Sequence, residues 1–307
     1  MNPESTLNTT GINRRKFCIN TGIAAGAFIA APLFNRASSF IKVDGNYTVG
    51  QIMDLFISQV PGGALTTTVD TLKSGNRDIK VTGIVTAMFA TIDVIRKAIE
   101  FGANFIIAHE PTFYNHQDDT KWLENDDVFK YKMGLLTDHN IAVWRNHDYI
   151  HRMVPDGVTN GTLIKLDWLK YADAKIPNIL TLPNVSLKDL VTNVKGKLGI
   201  QMVRYIGDPA QQCSRVQFMP GSSGGMRQIG GIAQVKPDVL ICGEISEWET
   251  AEYVRDAVAK GNKLALVVLG HIASEDEGSE YMLKWVQKNV PGVKVERVKP
   301  GSSLSFM

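Results

Sequence analysis

The feature that most restricts how this 307-residue chain can fold is a repeated phrase: an apolar β-branched run, an amphipathic stretch, and a second apolar run that ends in histidine. Its first occurrence reads as a strand from Val81 to Met88, a helix from Thr91 to Phe101 closed by Gly102, and a strand from Asn104 to Ala108, with His109 next. Its second occurrence runs through Val239 to Cys242, Ser246 to Ala259 and Leu264 to Leu269, and leads to Gly270 and His271. Strands alternating with helices build parallel sheets, because neighbouring parallel strands need a crossover between them and the helix supplies it. The repetition implies an α/β fold of two similar domains with mostly parallel sheets, facing a shared crevice.

Other stretches fit the same plan. Asp127 to His139 reads as a helix and Ile141 to Arg145 as a strand. Ser186 opens a helix to Leu198 with Asp189 three residues on, and Ser246 stands in the same relation to Glu249, both in the manner of a capping box. A last helix from Tyr281 to Asn289 is stopped by Pro291-Gly292 before an edge strand at Val293 to Val298. The pattern weakens between Asp167 and Pro183, which sets the division into an N-terminal half, 40–166, and a C-terminal half, 167–307.

Residues 1–39 read as an address. Arg14 and Arg15 precede a small-residue apolar stretch from Ile19 to Phe34, and Ala37-Ser38-Ser39 suits a signal peptidase, which resembles a twin-arginine signal. The stretch falls short of the roughly 20 strongly apolar residues that a membrane span needs, so no membrane attachment is expected once the signal is removed. Export by this route, to the periplasm or another extracytoplasmic space, follows. Arg14, Arg15, Lys16 and Arg36 against Glu4 account for more than the whole net charge of +2. The remainder carries no basic footprint, and no nucleic-acid partner is expected. Cys213 and Cys242, the thiols that follow the signal, read as buried small hydrophobes and not as a disulfide framework.

Of six histidines, the informative ones sit at the ends of apolar runs. His109-Glu110-Pro111 ends one strand, His147-Asp148 with His151 ends another, and His271 with Glu275 ends a third. In parallel sheets the carboxyl ends of strands line the ligand crevice, so the three segments can converge. A helix beginning at Ile272 would put His271 and Glu275 on one face, four residues apart, as two ligands of one metal require. The metal ligands expected are His109, Glu110, His151, His271 and Glu275. Imidazoles mixed with carboxylates suit zinc, manganese, iron or cobalt and disfavour calcium. Glu275, with two oxygens, can bridge a pair of ions, and His147, oriented by Asp148, is the candidate proton shuttle. Glu275 and His147 are therefore the candidate catalytic residues. Glu244, Glu247 and Glu249 either line the crevice or form a solvated helix start; His116 and His139 read as surface residues; Pro220 to Gly225 reads as a turn.

The run from Val69-Asp70 to Gly75, the segment from Gly83 through Ala108-His109-Glu110-Pro111, Asn146 to His151, Asp238 to Glu244, and Gly270-His271-Ile-Ala-Ser-Glu275 together resemble the Nif-three-like family. Its members are also called dinuclear-metal-centre hexameric proteins or GTP cyclohydrolase I type 2 homologues. The resemblance implies two similar α/β domains, two divalent metal ions per chain and a ring-shaped homo-hexamer. Two positions depart from the family pattern. Glu110 stands where the family has a second histidine, and His151 stands where it has an aspartate, so three imidazoles and two carboxylates are kept in rearranged order. Phe89 stands at about the place of a common aspartate, which removes a hydrogen bond from the surroundings of the site.

Two cations close together activate water for hydrolysis of a small-molecule substrate. The alternatives are a non-catalytic metal-binding or ring-scaffold role, and a cyclohydrolase-like activity on GTP. No serine or cysteine nucleophile motif is present to support covalent catalysis. If the N-terminal reading holds, the mature chain begins near Ser38 or Phe40, and replacing Arg14 and Arg15 by lysine traps the precursor in the cytoplasm. N-terminal sequencing and fractionation of the wild type and variant check this.

Overall fold

The computed structural model describes residues 46–305 and 307, so the twin-arginine segment lies outside the described residues. Strands occur at β1 (Leu72–Ser74), β2 (Ile84–Ala87), β3 (Phe105–Ala108), β4 (Ala142–Arg145), β5 (Ile179–Ser186), β6 (Arg204–Ile206), β7 (Gln212–Met219), β8 (Val239–Cys242), β9 (Ala265–Val268) and β10 (Val295–Arg297). Helices occur at α1 (Val49–Ile57), α2 (Ile92–Phe101), α3 (Asp127–Asp138), α4 (Asp148–His151), α5 (Gly157–Lys165), α6 (Leu187–Leu198), α7 (Gly225–Val235), α8 (Glu252–Ala259), α9 (His271–Glu275) and α10 (Glu277–Asn289). None of the described helices is long and apolar enough to cross a membrane.

The strands form two five-stranded sheets, ordered β1-β4-β3-β2-β10 and β5-β7-β8-β9-β6. The first is parallel except for the edge strand β1. The second is parallel through β7, β8 and β9 and carries antiparallel strands at both edges. In β2, β3, β4, β8 and β9 every residue is buried, which is why they read as unbroken apolar runs. The fold is α/β with two mostly parallel sheets, as the repeated phrase implies. Thr91 caps α2 and Gly102 closes it in the left-handed region, while Ser186 caps α6 through the amide of Asp189.

Some elements depart from the sequence reading. Ser246 makes no capping hydrogen bond, and the chain passes first through a wide π turn, Glu247–Ala251, before α8 begins. β5 escapes a pattern search because only part of it is buried, and because it is an edge strand containing Pro183, near which its pairing with β7 shifts register. α7 runs through Gly230 and Gly231, both poor helix formers. The division at 166/167 separates the two sheets only as far as β9. α10 and β10 return to the first sheet, with β10 parallel to β2. The reason is packing: Met282, Trp285, Val286 and Val290 enter the same core as Ile52 and Phe56 of α1 and Trp144 of β4. Phe56 meets Trp144 and Trp285 edge-on, with ring centroids 5.8 and 4.9 Å apart.

α5 crosses α10 closely. A methyl group added at Gly161 would lie 2.9 Å from the carbonyl oxygen of Glu277, and one at Gly278 would lie 2.9 Å from Val158. Thr162 of α5 also donates to the carbonyl of Ser274 in α9 at 2.9 Å. α5 thus reaches both cores, with Val158 in that of the first sheet and Leu163 in that of the second.

The short helix α4 is held from outside by Asp70, which lies before β1. Its carboxylate accepts from the amides of His147 at 2.8 Å and Tyr149 at 2.7 Å, and it is 4% exposed. Removing it leaves two amides at a helix start without their acceptor. Asp70→Ala is expected to cost about 1.5–3 kcal/mol of stability, read by urea denaturation, with Thr68→Ala, whose hydroxyl accepts from the Asp70 amide at 3.0 Å, costing less.

Candidate metal centre

The site is assembled where the carboxyl ends of the two sheets meet. β3 delivers His109 and Glu110, whose amides continue the sheet ladder to the carbonyls of Ala87 at 3.1 Å and Met88 at 2.9 Å. β4 leads through Asn146 to His147, and α4 carries His151 one turn further. β9 ends at Gly270, whose φ of +94° turns the chain into α9, so His271 and Glu275 fall at the two ends of one short helix. The loop after β7 brings Gly221 against Glu275 so closely that a Cβ there would lie 2.2 Å from Oε1.

These side chains converge. His271 Nε2 lies 3.1 Å from both Glu110 Oε1 and Glu275 Oε2. His109 Nε2 lies 3.4 Å from Glu275 Oε2 and 3.9 Å from Glu110 Oε1, and His147 Nε2 lies 3.7 Å from the latter oxygen. The rings of His109 and His147 stack at 4.9 Å, and His151 meets the His147 ring edge-on at the same distance.

The opposite nitrogen of each ring has its own partner. Nδ1 of His109 faces the carbonyl of Asn146 at 3.3 Å, that of His147 faces Asp148 at 3.0 Å, that of His151 faces Asp156 at 2.9 Å, and that of His271 faces Glu244 at 3.0 Å. Metal-binding imidazoles are oriented in this manner, through a carboxylate or carbonyl on the second nitrogen. Asp156 has a further task, since its other oxygen caps α5 through the amides of Val158 and Thr159.

The electrostatics follow from this crowding. Burial opposes charge on Glu110, but the His271 hydrogen bond and the His109, His271 and His147 rings outweigh it and hold the carboxyl at about 2. Glu275 is likewise kept below the usual carboxylate range, against burial, by His109 and His271. Burial also opposes a proton on His271, yet its contacts with Glu110, Glu244 and Glu275 push it up to about 12. Burial, with the neighbouring His109, brings His147 down to about 4.

The residues fit a metal. Nε2 of His109, 4% exposed, is buried without a hydrogen-bond partner and points among carboxylate oxygens and other imidazole nitrogens. Two groups offer donor atoms that all lie within 4.8 Å of one another: His109, His147 and His151, and His109, Glu110 and Glu275. All five expected ligands are brought together, with His147 among them. Sequence spacing alone gave no reason to separate His147 from the ligands. Of the orienting partners, Asp156 stands five residues from His151, whereas Glu244 is 27 residues from His271 and reads in the sequence only as one of three acids. Glu247 instead pairs with Arg204 at 2.6 Å. His116 and His139 are exposed as expected, although the His116 ring stands 6.0 Å from that of His147. Phe89 presents its ring edge-on to His271 at 6.2 Å, where a carboxylate would have offered a hydrogen bond. Cys213 and Cys242 are free and buried, and burial pushes the Cys242 thiol up to about 12.

Fold and site together define an α/β protein with two mostly parallel sheets and a histidine–carboxylate centre able to take metal. The chain belongs to the Duf34/NIF3 (NGG1p interacting factor 3) family, whose model matches residues 68–300. A relative from Clostridium acetobutylicum named GTP cyclohydrolase 1 type 2 homolog is 26% identical over 66% of this chain and 76% of its own length. One of the same name from Staphylococcus aureus is 20% identical over 68% of this chain and 83% of its own. The crystal structure of the Staphylococcus aureus hypothetical protein SA1388 superposes with a TM-score of 0.68 at 19% identity, covering 85% of this chain and 99% of that one. That of a Bacillus cereus protein related to NIF3 gives the same TM-score and coverage at 16% identity.

Neutral imidazoles are required for metal binding, and His271 sits among three carboxylates that favour its protonated form. Zinc uptake is therefore expected to release protons and to weaken as pH falls. Calorimetry in buffers of different ionisation enthalpy measures the release. His271→Ala is expected to lower the metal content found by elemental analysis.

Proposed function

We propose that this protein is a metal-dependent hydrolase acting on a small molecule, with two divalent transition-metal ions per chain. The observation that carries this reading is the convergence of four outward-anchored imidazoles and two carboxylates on one point between the sheets. His109, His147 and His151 would hold one ion, and Glu110, Glu275 and His271 the other, with Glu275 close enough to His109 to span them. Cations bound there acidify water and polarise the scissile bond.

The chain's own residues supply the rest. Gly221 leaves space for Glu275 to lie flat against the loop after β7, and Asp148, Asp156 and Glu244 fix the planes of three rings. His147 and His151, with side chains 24% and 27% exposed, face the accessible side, whereas His109 is enclosed. A substrate thus meets the imidazole group first and the carboxylates behind it.

A second reading keeps His147 as a proton carrier, which its contact with Asp148 also favours. His147→Gln separates the two: loss of metal assigns it to the ligands, whereas full metal content with reduced turnover assigns it to proton transfer. The relatives' names place GTP on the substrate panel. Export by the twin-arginine route and assembly into a hexameric ring complete the reading; fractionation and analytical ultracentrifugation test them.

The expected outcome is metal-dependent turnover of at least one class among phosphate esters, cyclic nucleotides, amides, lactones and GTP. Glu275→Gln is expected to lower it by at least a hundredfold. Metal-replete protein inactive on the whole panel, and indistinguishable from Glu275→Gln in metal content, would replace this reading with a scaffold role.

A further inference from the structure

Behind the metal centre lies a line of alternating charges that the reaction does not use. Arg145, the last residue of β4, has a side chain 0% exposed, and its Nη2 lies 3.4 Å from Glu110 Oε2. Its Nη1 donates to the carbonyl of His116 at 2.5 Å and lies 3.5 Å from Asp118 Oδ2. That same oxygen receives Lys73 Nζ at 3.1 Å, and Asp118 Oδ1 accepts from the amide of Phe113 at 2.7 Å. Lys73 is anchored in turn on the carbonyl of Val69 at 2.8 Å. The line from Glu110 to Lys73 is buried throughout.

Buried charges are tolerated only when paired, and removing one member leaves its neighbour stranded. A guanidinium is suited to this position because its rigid fork serves two partners at once, which a lysine ammonium does not. The geometry divides the labour of Glu110. Oε2 is turned toward Arg145, and Oε1 alone faces the imidazoles, 3.1 Å from His271 and 3.7 Å from His147. A carboxylate so held offers a cation one oxygen.

We propose that Arg145, braced by Asp118 and Lys73, is a positioning residue that restricts Glu110 to single-oxygen binding and so tilts the centre toward small transition-metal ions over calcium. The inference rests on the metal-centre reading. Zinc is satisfied by about four nitrogen, sulfur or oxygen donors. Calcium collects about six to eight oxygens and frequently takes both from one carboxylate. With Arg145 in place, Glu110 cannot turn its second oxygen inward without abandoning a buried positive charge.

The test compares wild type, Arg145→Met and Arg145→Lys, each stripped with a chelator and titrated separately with zinc and with calcium, alongside melting of the metal-free forms. The Met variant is expected to lose zinc affinity by about 10–100-fold, the usual cost of removing an outer partner, while calcium affinity holds or rises. The ratio of zinc to calcium affinity then falls at least tenfold. The Lys variant, which keeps the charge and loses the fork, is expected to fold and to show a smaller fall in the same direction; if the Met variant does not fold, the Lys variant decides. An unchanged ratio in the folded variants overturns the proposal, even where melting drops, because it leaves Arg145 a purely structural role. A wild type that takes up no zinc is a separate result and removes the metal-centre reading itself.

Discussion

Placing two carboxylates and four imidazoles within contact of one another, mostly out of water, is an electrostatic load that the surrounding protein has to balance. Glu110 and Glu275 are both buried, and each leans on His271, while His109 Nε2 faces them without a hydrogen bond. Like charges at this distance repel strongly in a low dielectric. What makes the arrangement stable is the outer ring of partners: Asn146, Asp148, Asp156 and Glu244 on the imidazoles, and Arg145 on Glu110. A divalent cation would answer the same load from within.

The outer ring in turn explains details of the fold that packing alone would not require. Asp156 is both the acceptor for His151 and the cap of α5, so the start of that helix and the plane of the ring are fixed by one side chain. Asp70 does the corresponding work for α4, tying the helix that carries His147 and His151 to the segment before β1. The loop from Glu110 to Asp118 is held by cations from two other segments, Lys73 and Arg145. Even Ser274 serves the site, donating to the carbonyl of His271 and accepting from the amide of Gly221.

How much of this was legible in the sequence depends on the range of the signal. His109, Glu110, His271 and Glu275 were legible because each follows an apolar run whose length and composition mark a central parallel strand. The crossover helices were legible for the same reason, being local in sequence and periodic. What escaped was long-range or lay at an edge. Nothing near His271 marks Glu244, 27 residues away, as its partner, and nothing near Glu110 points to Arg145, 35 residues away. The return of α10 and β10 to the first sheet was hidden because an amphipathic helix states that it needs an apolar surface without stating which one. β5 was hidden by Pro183 and α7 by its paired glycines, both cases in which tertiary contacts override local preference.

The close crossing of α5 and α10 reaches beyond packing. Many crevices between two sheets open and shut because the halves meet across a polar seam that can part. Here α5 sends Val158 into the core of the first sheet and Leu163 into that of the second, and Gly161 and Gly278 let it lie close against α10. One helix thus ties the two cores together beside the site. The positions of the donor side chains are then laid down by the packing of the two cores, with the partly exposed His147 and His151 at the rim.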